Sequence, residues 1–159
     1  MQALFALLLL GLIGVWSLST LQSCGESAAV EQSAKESDRG TAEQAIASLR
    51  DRADFDLIVV SEASGSRYEL MLEYTDYRDA RQIKADTGLI ANAMLRALKI
   101  KGRDPANQGI VVIVRAAVLD TTRARARLVD VGDTTYEPTA DRLDFHCTLG
   151  DKGISGKTC

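Results

Sequence analysis

The apolar and polar positions divide the chain into one long apolar run and a series of shorter patterned segments. Ala3–Trp16 (ALFALLLLGLIGVW) holds only apolar residues and glycine. Its length fits the hydrophobic stretch of an export signal and falls short of the ~20 residues a membrane span needs. Small and polar residues fill most of the stretch from Ser17 to Ser23, ahead of Cys24. Gly25–Gly40 (GESAAVEQSAKESDRG) has almost no large apolar residue and reads as a flexible tether.

Beyond Gly40 the pattern is that of a folded domain. Thr41, with Gln44 three residues on, fits a capping box that opens a short helix. Its apolar face is Ala42, Ala45, Ile46 and Leu49, and it ends near Ala53. Phe55–Glu62 is rich in β-branched residues and predicts a strand. Arg67–Thr75 alternates, with Tyr68, Leu70, Leu72 and Tyr74 on one face and Glu69, Met71 and Glu73 on the other. Ala80–Ala85 fits either a weak third strand or an early helical turn. Thr87–Lys101 has a helical stripe of Ile90, Ala91, Met94, Ala97 and Leu98, with Gly102 in the place of a C-terminal cap. Gly109–Leu119 is the most apolar of the later segments, which predicts a central strand covered on both faces over Ile110–Val114. Arg123–Val131 alternates again, and Arg142–Leu149 completes the pattern as a last strand.

These elements predict an α+β fold, a single antiparallel sheet of four to six strands packed against one or two helices. The expected organisation is an export signal over residues 1–23, an anchor and tether over 24–40, and one domain over 41–159. With 159 residues in all, the chain leaves room for one core. The net charge of −3 spreads no broad basic footprint over the chain, which argues against nucleic acid as a partner.

Leu21-Gln22-Ser23-Cys24 resembles the lipobox of bacterial lipoproteins. The resemblance implies cleavage before Cys24, a diacylglycerol on its sulfur, and a domain held at the cell envelope by its acyl chains. Gly25 follows the cysteine where Asp would retain the protein at the inner membrane. In a Gram-negative cell the resemblance therefore implies the periplasmic face of the outer membrane. Two other readings stay open: an uncleaved anchor from Ala3 to Leu21, and a secreted protein cut elsewhere. If Cys24 carries lipid, Cys147 and Cys159 remain as an even pair in an oxidising compartment, either bridged or as two free thiols. The segment Ala53-Asp54-Phe55, Ser64-Gly65-Ser66-Arg67-Tyr68 and Asp76 is also similar to the helix–strand–hairpin unit of envelope lipoproteins of the curli-secretion and penicillin-binding-protein-activator type. That likeness implies an assembly role and transfers no site residue.

Four groups of residues are candidates for chemistry. Asp86-Thr87-Gly88 carries the triplet of aspartic proteases, but that reaction needs two such carboxylates, each after an apolar strand. An N-cap at Asp86 or Thr87 explains the triplet better. His146 is the only histidine and neighbours Cys147, yet the spacing of these residues with Cys159 lacks the short pairs of a zinc site. Asp130, Asp133 and Glu137 with Gly132 read as an acidic turn of the kind hard cations use, without an EF-hand spacing. Arg123, Arg125 and Arg127 fall on one face of an alternating strand. They either pair with the Glu69 and Glu73 face or form a cationic strip for an anionic partner. Such a partner is lipid headgroups, cell-wall polymer or another envelope protein.

The resulting expectation is an anchored envelope lipoprotein that binds or assembles without catalysing, with no cofactor and no metal. The alternative is a small extracytoplasmic hydrolase or metal-dependent enzyme.

Overall fold

A computed structural model describes residues 32–49, 57–121 and 125–148. The chain divides into two compact units, Met1–Glu36 and Ser37–Cys159. Residues 32–36 of the first are helical, and the architecture below is that of the second.

Helix α1 covers residues 32–47. Residues 32–40, read from sequence as tether, are therefore helical. Their Ala, Glu, Gln and Lys are strong helix formers, and Arg39 pairs with Glu43 one turn on at 3.0 Å. Thr41 is not a cap. It is buried, and its hydroxyl donates to the Ser37 carbonyl at 2.9 Å inside the helix. Ala42, Ala45 and Leu49 enter the core as the periodicity predicts.

Strands β1 (Leu57–Ser64) and β2 (Arg67–Tyr74) form an antiparallel hairpin. Helix α2 (Ala80–Ile100) follows, then β3 (Val111–Asp120), β4 (Arg127–Glu137) and β5 (Arg142–Cys147). The five strands lie in sequence order, β1-β2-β3-β4-β5. The α+β class and the single sheet agree with expectation. One pairing differs: β2 and β3 are parallel, because α2 carries the chain back across the sheet before β3 begins.

Ala80–Ala85 is the first part of α2 rather than a strand. Asp79 is the N-cap, and its carboxylate accepts the Gln82 N–H at 2.7 Å. This corrects the reading of Asp86 or Thr87 as the cap. Two poor helix formers, Thr87 and Gly88, resemble a helix start but lie in its second turn and beyond.

The inner face of the sheet carries Tyr68, Leu70, Leu72, Val112, Val114 and Ala116, all fully buried. Against it pack Ile83, Ile90, Met94 and Leu98 of α2. β3 is central, as its apolar run predicts, but it is covered on one face only. Val112 and Val114 are buried while Val111 and Ile113 are half-exposed. Both helices contribute to the core on the inner side, and among the described residues nothing is layered over the outer face.

Candidate functional site

The residues singled out by sequence mostly do structural work. Asp86 accepts a hydrogen bond from the Tyr74 hydroxyl at 2.8 Å. Thr87 is buried and lies 2.7 Å from the Thr134 hydroxyl of β4, while also donating to the Ile83 carbonyl. Thr134 supplies the other proton, so both buried hydroxyls are satisfied. The Gly88 carbonyl accepts from Asn92 at 2.8 Å. All three residues of the protease-like triplet thus hold α2 to the sheet or to itself.

The acidic turn is not a turn. Asp130, Asp133 and Glu137 belong to β4, and a bulge between Ala116 and Ala117 of β3 accommodates the extra residue at Val131. Among the described residues no three acidic, histidine or cysteine side chains gather as a metal site. His146 is two-thirds exposed on β5, with Nδ1 3.5 Å from Asp133. Cys147 is in a disulfide, so it offers no thiolate beside that imidazole. The other two cysteines, Cys24 and Cys159, lie outside the described residues, so the expected Cys147–Cys159 bridge does too.

The arginine strip is also rearranged. Arg123 lies outside the described residues. Arg125 precedes β4, and Arg127 is its first residue. Neither reaches Glu69, because β2 neighbours β3 and not β4. Glu69 is taken instead by Arg67 at 3.2 Å and Arg115 at 3.1 Å, and Arg67 also meets Glu62 at 3.3 Å. This row of alternating charges, continued by Asp133 and His146, crosses the outer face. With Arg67 and Arg115 each more than 40% exposed, these pairs contribute only ~0–1 kcal/mol each.

Two polar clusters escape sequence reading. The first joins four segments. The Tyr68 hydroxyl donates to Asp38 at 2.6 Å, and Arg103 donates to Asp38 at 2.9 Å, to Tyr68 and to the Gly65 carbonyl. Arg103 also stacks 5.7 Å from the centre of the Tyr68 ring. Burial, and then the Asp38 carboxylate, push the Tyr68 hydroxyl well above the ordinary tyrosine range. Asp38 was invisible as a partner because its segment reads as tether. The second cluster is Tyr136, whose hydroxyl donates to Asp141 at 2.6 Å across the β4–β5 turn. Asp141 adopts φ +48°, a conformation Asp tolerates in turns.

Among the described residues a concave feature of about 610 Å³ lies between the two helices. Ala45 and Leu49 of the α1 side face Leu89, Ala93, Ala97 and Ile100 of α2. The small side chains of Ala45, Ala93 and Ala97 line it, and Gln44, Ser48, Asn92 and Arg96 add polar groups. Ile100 is 78% exposed and Leu89 39%, so the groove presents apolar surface to solvent. Its lining hydroxyl, Ser48, donates to the Ala45 carbonyl at 2.7 Å, and among the described residues no histidine or acidic side chain lines the groove beside it. Among the described residues no helix is long and apolar enough to cross a membrane. No protein family matches the chain, and neither a curated protein nor a solved structure proves similar to it.

Proposed function

We propose that this protein is a membrane-anchored envelope lipoprotein that acts as a non-enzymatic binding module. Anchoring is supported by Ala3–Trp16 followed by Leu21-Gln22-Ser23-Cys24. The observation that carries the binding role is the interhelical groove. A trough between two helices, apolar in its floor and cationic at Arg96 on its rim, suits the apolar face of an amphipathic helix with carboxylates along its flank. The partner is then an envelope protein that presents such a helix.

A photo-crosslinking side chain at Ala93, in the anchored full chain, tests this in cells. One defined envelope protein should crosslink at Ala93, and the same group at exposed Gln108 should miss it. Equal crosslinking at both positions, or none at Ala93, contradicts the groove as the binding surface.

A further inference from the structure

Helix α1 is held to the domain by little apolar surface. From Ser37 onward it buries Ala42, Ala45 and, just past its end, Leu49. Two of these three side chains are single methyl groups, and Ile46 is only partly buried. A helix in a protein draws most of its stability from packing, so an apolar face this small holds α1 weakly.

Polar contacts add to that hold, and they converge on one residue. Among the described residues, the hydrogen bonds that run from 37–49 to the sheet and to the loop after α2 are those of Asp38. Its carboxylate is 14% exposed and accepts from the Tyr68 hydroxyl at 2.6 Å and from Arg103 at 2.9 Å. The other half of the cluster is fixed without α1. Tyr68 is fully buried on β2. The Arg103 backbone N–H donates to the Leu98 carbonyl at 3.0 Å, and its side chain also reaches the Gly65 carbonyl and Gln108. The guanidinium is 26% exposed and retains those partners when Asp38 departs. Departure of α1 also uncovers the Tyr68 hydroxyl to water, so opening strands no polar group in the core.

We infer that Asp38, Tyr68 and Arg103 form a clasp that decides whether α1 is docked, and that α1 is a movable wall of the interhelical groove. Gln44, Ala45, Ser48 and Leu49 supply that wall. The groove exists while the clasp is shut and is lost when it opens. A helix seated between both walls touches α1 only in the docked state, so it shifts the balance towards the shut clasp. Opening the clasp weakens its binding in turn, by the fraction of molecules left undocked. This control of binding rests on the proposed use of the groove, whereas the clasp itself does not.

Amide hydrogen exchange of the full chain reads the clasp without any partner. In the wild type, amides of 37–47 should exchange faster than those of Ile90–Leu98 in α2, through an opening that leaves the sheet intact. Hydrogen bonds to a charged group are strong enough that Asp38→Ala should speed α1 exchange about tenfold or more. Asp38→Asn, the milder variant, should act less in the same direction, and exchange of α2 and β3 should stay as in the wild type. Wild-type α1 that exchanges together with α2, or an α1 rate unchanged in both variants, overturns the clasp. So does a parallel acceleration of α1, α2 and β3, which makes Asp38 part of the global core. Photo-crosslinking from Ala93 reads the consequence and should fall in Asp38→Ala. Faster α1 exchange with undiminished crosslinking overturns the control of binding, while a wild type that never crosslinks contradicts the groove and leaves exchange to decide the clasp.

Discussion

At the scale of single residues, the buried hydroxyl pair decides most about the core. Thr87 and Thr134 satisfy each other between α2 and β4, at 0% and 2% exposure. Thr87→Val keeps the shape but leaves the Thr134 hydroxyl buried without its partner, which costs about 1–3 kcal/mol. Urea unfolding should show that loss, and adding Thr134→Val should recover part of it because both partners are then apolar. Tyr136 makes a pH prediction. Burial first, then its bond to Asp141, raise its hydroxyl from 10.0 to about 12. The native state therefore favours the neutral phenol. Its contribution to stability is complete below about pH 10 and is lost as pH climbs to about 12. Tyr136→Phe should flatten that alkaline fall in a denaturation series, and an unchanged slope contradicts the assignment. None of these partners is legible in the sequence. Asp-Thr-Gly reads as a motif, and only the register of α2 against β4 shows that its threonine faces another threonine.

At the scale of elements, the helix stripe and the alternation of β2 were legible because one face of each is buried without interruption. What failed were the boundaries. The first part of α2 has a single buried apolar residue, Ile83, so seven residues of true helix carry too little periodicity to be seen. The register of parallel β2 and β3 also leaves no local mark, since it is set by the length of the crossover. Helix α2 gives two opposed predictions. Asp79→Ala removes the cap and should cost about 1 kcal/mol. Gly88→Ala should instead stabilise by about 0.5–1 kcal/mol, since a Cβ there meets nothing within 4 Å. Thermal unfolding of the two variants should move in opposite directions. A destabilised Gly88→Ala contradicts that reading of the helix.

At the scale of the whole molecule, the two helices lie on one side of the sheet and an uncovered, charge-laced face lies on the other. Two distinct surfaces result, an interhelical groove and the open face of the sheet. The groove could not be foreseen, because Ala45, Ala93 and Ala97 look like ordinary core positions until the helices are placed side by side. The arginines were visible as a cluster, but only the register of β3 with β4 shows that Arg127 lies opposite Asp120 while Leu128 lies opposite Leu119 on the other face. In the proposed reading the groove meets a partner while the anchor holds the domain at the envelope. That arrangement depends on the anchor, and the sulfur of Cys24 is where the anchor is decided.

The intact mass of the wild-type protein recovered from the membrane fraction tests this most directly, with Cys24→Ser as its control. The account predicts a chain that begins at Cys24 and carries the added mass of a diacylglycerol, a mass that Cys24→Ser never shows. A wild-type mass equal to the full unprocessed chain, or to a chain cut elsewhere without lipid, contradicts it.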